Sequence, residues 1–360
     1  MSASTATVEI AIPMIVAAML SLLLTPLVRK VAQGRGWFDD ANDPRKIHRG
    51  SIPRLGGVAV FVALVAGMGG AYWAGLSSQG LAIIVPLFGA AIMWAVGLVD
   101  DFKSLRARFK FGIQTLVAIA VTAAGFRFEQ FPLPGGMLSL GLVSWPLTVV
   151  WIVGISNAIN MIDGMDGLAG GIGLIAALGL GALSLSSGEG TSSALAFALA
   201  GAITGFLFFN LPPARIFMGD SGSLLIGYAL SILPLIAGMG HPRHFSVLAA
   251  GTIVAVPVFD VFAAILRRRR RGQRVMEPDK EHIHHKLLGF GLDTRVILAI
   301  VYSVCIGLGG AAIGAAGLGS EGQFWVLVGT LALLGAAFIV LHFVKEKGLG
   351  RDGHEGAVET

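Results

Sequence analysis

The chain has 360 residues, 55% of them hydrophobic and 13% charged, with a mean hydropathy of +0.79. A soluble domain carries about 25% charged residues, so lipid rather than water is the expected solvent for most of this chain. Lone Cys305 excludes an internal disulfide and reads as a buried thiol; the net charge of +5 reads as basic loops on one side of a membrane, not as a nucleic-acid surface.

A membrane span needs about 20 mainly apolar residues. Eleven segments fit: 8–28, 55–75, 81–99, 111–125, 138–156, 167–186, 194–210, 222–240, 245–266, 296–317 and 323–344. The fourth is the shortest and runs into "FRFEQFPLPGG", which reads as a loop or interfacial turn. Pro86, Pro234 and Pro257 mark points where helices can break. The small residues Gly310–Ala311–Ala312–Ile313–Gly314 read as a close helix contact, and so does Gly171–Ile172–Gly173, which lacks the strand a dinucleotide fingerprint requires. No Gly-Lys pair occurs, which excludes a Walker-type ATPase loop. The expectation is an all-α integral membrane protein, with residues 1–347 as one polytopic domain and 348–360 as a loose polar tail.

With eleven spans, the loops after odd-numbered spans share a side with the C-terminus. They hold 24 of the 26 Lys and Arg residues; Arg127 and Arg243 alone fall opposite. Basic residues collect on the cytoplasmic side, so the N-terminus is expected outside and the C-terminus inside. The first span has no basic residue before it and Arg29 and Lys30 directly after it, which argues against a cleaved signal peptide.

The inner side also carries the polar clusters. In "HRGSIPRLGG", His48 to Gly57, Pro53 fixes φ and Gly56–Gly57 permit close backbone approach; a tight turn entering a helix is the plainer reading. In "VGLVDDFKSLRARFKFGIQ", Asp100 and Asp101 end a span, where the helix dipole disfavours anions. Lys103, Lys110 or a metal ion would offset that cost; a solvated helix end is the alternative. In "NAINMIDGMDGLAGG", Asn157, Asn160, Asp163 and Asp166 recur every third residue, while Gly164 and Gly167 point to a helix break. The spacing is not that of an EF-hand, and a structural polar knot is the alternative. In "FNLPPARIFMGDSGSLLIG", Asp220 and Ser221 precede a span as a simple N-cap or as a phosphate site at free helix N–H groups. Finally, "RRRRRGQRVMEPDKEHIHHKLLGFGLDTR" follows a span. Its arginines suit topology and anionic lipid, and His282, His284 and His285 fit a basic setting as cationic phosphate donors better than as zinc ligands.

Together these segments offer carboxylates and amides for a hard cation, and Gly-rich turns, His and Arg for phosphates. Mg²⁺ typically binds one or two protein oxygens plus substrate phosphates. A soluble diphosphate donor meeting a lipid-borne acceptor at the membrane surface fits that set, with catalysis by positioning and charge neutralisation.

"PRLGG", "DDFKSL", "KFGIQ", "NAINMIDGMDGL", "NLPPARIFMGDSGS" and "HIHHKLLGFGL" occur in this order over residues 48–292. This pattern resembles the polyprenyl-phosphate N-acetylhexosamine-1-phosphate transferases, WecA/TagO branch, which share a superfamily with the MraY enzymes. The resemblance implies transfer of a sugar 1-phosphate, GlcNAc-1-phosphate first, from a UDP-sugar to undecaprenyl phosphate with release of UMP. That is the opening step of lipid-linked envelope glycan synthesis at the cytoplasmic face of a bacterial inner membrane. It further implies Mg²⁺, with Mn²⁺ as a substitute, held by Asp220 and Asn160; a catalytic set of Asp100, Asp101, His282, His284 and His285; and substrate contacts from Asn157, Asp163, Asp166, Asn210, Lys110, Arg54 and Arg215. The acceptor monoester has a second pKa near 6, so a general base gains little and Asp100 is expected to position metal or acceptor. A two-step route through an Asp nucleophile stays open, as does a homodimer. MraY enzymes read "PTMGG" and a triple His; "PRLGG" and "HIHH" here argue for a UDP-N-acetylhexosamine over a MurNAc-pentapeptide donor. The rival of another class is a secondary transporter, for which Asp260 inside a span is the best argument.

Overall fold

The computed structural model describes residues 3–37, 52–74, 83–238, 247–270, 272 and 282–343. The expected tail 348–360, His48, Arg243 and much of the basic segment 271–281 lie outside the described residues. Among the described residues the regular elements are helices except for one short hairpin: α1 Ala3–Gly34, α2 Gly56–Trp73, α3 Ile84–Lys103, α4 Ala107–Ala123, β1 Gln130–Leu133, β2 Gly136–Ser139, α5 Ser144–Ile162, α6 Leu168–Ser186, α7 Gly190–Asn210, α8 Gly219–Gly238, α9 Val247–Ile253, α10 Ala255–Arg270, α11 Ile283–Gly289, α12 Thr294–Ala316 and α13 Ser320–Phe343.

Among the described residues nine helices are long and apolar enough to cross a membrane, or ten if α9 and α10 count as one bent span. This is an all-α integral membrane protein of the multi-pass kind. The expected fourth span, 111–125, corresponds to α4, whose 17 residues carry Arg108 and Lys110 in the first turn. At about 1.5 Å per residue it falls short of a hydrocarbon core about 30 Å thick. The expected span 245–266 is broken: α9 and α10 meet at 85°. Pro257 supplies the reason, since it cannot donate to the Ile253 carbonyl and its ring crowds that group. Pro234, by contrast, is accommodated inside α8, and Pro86 sits in the first turn of α3. "FRFEQFPLPGG" forms an antiparallel hairpin in which Phe131 faces Leu138, turning at Gly135 with φ +90°.

The bundle is organised around α8, buried from Ser221 to Ala237 and flanked by α2, α3, α5, α6 and α7. Helices in lipid gain little from apolar burial alone; small residues and interhelical hydrogen bonds hold them together. Such bonds run the length of α8: Tyr228 donates to the Pro86 carbonyl of α3 (3.0 Å), Trp151 of α5 to Ser231 (2.9 Å) and Ser192 of α7 to Leu233 (3.0 Å). Close packing through glycine occurs where α7 crosses α1, with Gly201 against the Met14 carbonyl. Of the stretch 310–314 expected to pack closely, Ala312 is fully buried, but neither Gly310 nor Gly314 has a heavy atom of a neighbouring described element within 4 Å of a side-chain position. Gly171 behaves as expected, packing on the Tyr302 ring of α12.

Candidate active site

The first turn of α8 gathers the polar motifs. Residues 53–57 lie alongside 217–218: Phe217 N donates to Pro53 O (2.8 Å), Gly56 N to Phe217 O (2.9 Å) and Gly57 N to Met218 O (2.9 Å). The close approach expected at Gly56–Gly57 therefore joins "PRLGG" to "IFMGD" by backbone. On the other flank, any side chain at Gly97 of α3 would collide with the Asp220 carbonyl. Gly219 turns the chain into α8 with φ +73°, a conformation that favours glycine.

Asp100 and Asp101 divide their duties. Asp101 accepts from the backbone N–H groups of Asp220 (2.7 Å) and Ser221 (3.1 Å) and from the Ser221 hydroxyl (2.7 Å). It caps α8 from a neighbouring helix. The sequence left open a cap by Asp220 or Ser221 itself and a phosphate at free N–H groups; in the structure the Asp220 and Ser221 N–H groups are taken by Asp101, a carboxylate from another helix. Asp101, expected beside Asp100 in the catalytic set, has both oxygens engaged in this cap. Asp100 points instead to the α3–α4 turn. Ser104 takes a left-handed conformation (φ 46°), which brings the Leu105 N–H back to the Asp100 carboxylate (2.5 Å). One turn into α4, Lys110 Nζ donates to Asp100 (2.7 Å) and to Asp220 (2.8 Å). The anionic end of α3 thus finds its cation in Lys110, one of the three solutions the sequence allowed. All three side chains keep 12–20% exposure, so the cluster is open to solutes yet partly shielded from water.

The stripe 157–166 is half helix and half loop. Asn157 and Asn160 lie on α5, which ends at Ile162. Asn160 donates to the Ser223 hydroxyl (2.8 Å), one turn beyond Asp220, and its Oδ1 makes no hydrogen bond among the described residues. Asn157 donates to Gln114 of α4 (2.5 Å) and to Val153 O (2.7 Å). Asp163 follows the helix end with an edge open to solvent. Crowding of its carboxyl by protein raises it to about 7; the nearby Asp220 charge adds to the shift and Arg54 opposes it. Asp166 and Asn210 are buried braces. Asp166 accepts from Ala214 N (2.9 Å), while Asn210 accepts from Gly167 N (3.1 Å) and donates to Ile216 O (3.0 Å). Arg54 is half-buried beside Gly219, and Arg215 is exposed on the turn that these braces hold.

The three histidines form a second cluster. Their rings follow one another, His282 parallel to His284 at 6.0 Å and His284 tilted on His285 at 4.2 Å. His284 is 1% exposed, lies against the backbone of Gly164, and has no hydrogen-bond partner for either ring nitrogen among the described residues. Burial, then the charge of neighbouring His285, lowers it to about 3. His284 is therefore a neutral imidazole near neutral pH rather than the cationic phosphate donor expected. Asp260, the transporter argument, accepts from the Ile283 N–H (2.8 Å) and sits 2.7 Å from His282 Nδ1.

The structure thus brings Asp100, Asp101, Lys110 and Asp220 into contact, sets Asn160 one turn away, and joins the histidines to the loop after Asp163. Sequence reasoning read Ser221 only as a cap and missed the partnership of Ser223 with Asn160 and of Gln114 with Asn157. Gln114 was findable, one helical turn after Lys110 on the same face; the link from Asp260 to His282 leaves no local signal. Among the described residues no three His, Cys, Asp or Glu side chains converge as a metal cage. The Asp220 carboxylate and the Asn160 amide oxygen fit the other habit of Mg²⁺, which draws its remaining ligands from phosphates and water.

Residues 83–238 match the family model for glycosyl transferase family 4. A protein of Bacillus subtilis (strain 168) named "Probable undecaprenyl-phosphate N-acetylglucosaminyl 1-phosphate transferase" is 40% identical over 301 residues, covering 82% of this chain and 82% of its own length. A decaprenyl-phosphate N-acetylglucosaminephosphotransferase of Mycolicibacterium smegmatis is 34% identical over 98% of this chain and 91% of its own length. An undecaprenyl-phosphate alpha-N-acetylglucosaminyl 1-phosphate transferase of Yersinia pestis is 31% identical over 79% of this chain and 78% of its own length.

Proposed function

The chain belongs to glycosyl transferase family 4, and from that premise we propose that it transfers N-acetylglucosamine 1-phosphate from UDP-N-acetylglucosamine to a polyprenyl phosphate, releasing UMP. An oxygen of the acceptor phosphate attacks the donor phosphorus that bears the sugar. The bond from that phosphorus to the bridging oxygen breaks, and the electron pair leaves with UMP. No proton need be abstracted from an acceptor that is already largely dianionic above pH 6.

The observation that carries this reading is the Lys110 ammonium held between Asp100 and Asp220 by three different helix segments. Charge on a diphosphate in transfer is best met by preorganised groups in a partly dry site. Asp100 holds Lys110 in place rather than acting as a base, and Asp101 keeps the α8 tip fixed beneath it. Asp220 and Asn160 would hold Mg²⁺, with Mn²⁺ as a substitute; the ion supplies neutralisation of the diphosphate charge. The concentration of Lys and Arg in the segments that carry the polar motifs supports a cytoplasmic rim in a bacterial inner membrane. Opening envelope glycan synthesis fits the same product. No observation favours the MraY or the transporter alternative, since Asp260 is taken up by His282 and Ile283.

The test is purified protein with Mg²⁺, undecaprenyl phosphate and a panel of UDP-sugars. UMP release with UDP-GlcNAc is the expected result. Release only with UDP-MurNAc-pentapeptide, or with no donor at all, overturns the reading.

A further inference from the structure

Asp260 is 2% exposed on α10, and the transfer chemistry above does not use it. Its two oxygens have separate tasks. One accepts the Ile283 N–H (2.8 Å) that opens α11, and the other faces His282 Nδ1 (2.7 Å). An ionised carboxylate only accepts, so Nδ1 of His282 must carry the proton and the lone pair of the neutral ring is left on Nε2. The same oxygens fix where α11 begins. They thereby fix the row of rings in which His284 lies on Gly164, next to Asp163.

We propose that Asp260 is a positioning residue for sugar-phosphate transfer: by holding His282 through Nδ1 it aims Nε2, and with it the histidine row, at the diphosphate beside the Asp163 loop. This rests on the function proposed above. A charge buried in a helix of a membrane bundle is costly unless it is engaged, and among the described residues its engagement is with the start of one seven-residue helix. A purely structural carboxylate would need only the Ile283 contact. The second oxygen is spent on one ring nitrogen, and that selects a tautomer.

Asp260→Asn tests this with its shape preserved. The amide oxygen still accepts from Ile283, but the amide nitrogen donates to Nδ1 and forces the proton to Nε2. The expected result is a fall in kcat of about 10- to 100-fold, the scale of loss when a carboxylate that orients a metal-bound histidine is removed. KM for UDP-GlcNAc should change less than threefold, and in a His282→Ala background the same substitution should have no further effect. Wild-type kcat in Asp260→Asn, or an undiminished effect without His282, overturns the proposal. If Asp260→Asn does not fold, His282→Asn decides. Its amide reaches Asp260 but has nothing at the Nε2 position, so melting temperature should hold while turnover drops. Full turnover in His282→Asn also overturns the proposal, since the Nε2 position would then be dispensable. Absence of UMP release by the unmodified protein would instead sink the transferase reading itself, which keeps the two failures apart.

Discussion

α8 and α13 are both apolar helices of spanning length, and the more apolar of the two is the one left on the outside. α13 exposes Leu333 and Ile339 to lipid, whereas α8 is enclosed and carries Ser221, Ser223, Tyr228 and Ser231 among its aliphatic residues. In water the sorting would run the other way. In lipid an aliphatic side chain gains nothing by turning inward, while a hydroxyl gains a partner. The centre is therefore where polar groups can be held firmly, and the chemistry sits at the tip of the best-held helix.

The sharpest way to break that contrast is at its two ends. Asp220→Ala should lower UMP release by at least about 10²- to 10³-fold, the usual loss when one preorganised electrostatic group is removed, while Leu333→Ala on α13 stays within about twofold. Equal losses would mean that α8 has no special standing. Packing gives a smaller effect. Gly201→Leu, which meets the Met14 carbonyl of α1, should cost about 1–3 kcal/mol and lower the melting temperature in detergent. Gly310→Leu on the open side of α12 should leave it unchanged. The smallest effect concerns Asp163. Its folded carboxyl titrates near 7, above the usual value near 4, so the folded state holds the proton more tightly. The resulting stability is full below pH 4 and is lost as pH rises to about 7. Melting temperatures of the native protein should fall across that window relative to Asp163→Asn and run parallel above it. Parallel curves throughout would place Asp163 in open solvent.

The sequence was most legible where one physical cause acts alone. Apolar runs marked the helices, Gly164 and Gly167 marked the break after α5, and Gly56–Gly57 marked a backbone contact. It was least legible where two causes compete. Residues 245–266 are apolar enough to span, but Pro257 overrides them with a sharp bend. Gly310 and Gly314 look like a helix contact, yet small residues only permit one. The motifs located the reactive rim because charge is conspicuous in an apolar chain. Which carboxylate faces Lys110 and which caps α8 depends on Ser104 and on the approach of α3, and neither is written in residue type. That Asp260 meets His282 depends on how α10 and α11 fold back on each other.

The cap that Asp101 places on α8 has a mechanical side. Three hydrogen bonds join the end of α3 to the start of α8, and Gly97 and Gly57 leave no gap around them. The two helices must travel together at this edge, because rocking one against the other would rupture all three bonds at once. α4 is tied to the same edge by a single ammonium. A displacement of the α8 tip is therefore carried first into α3, and reaches α4 through Lys110.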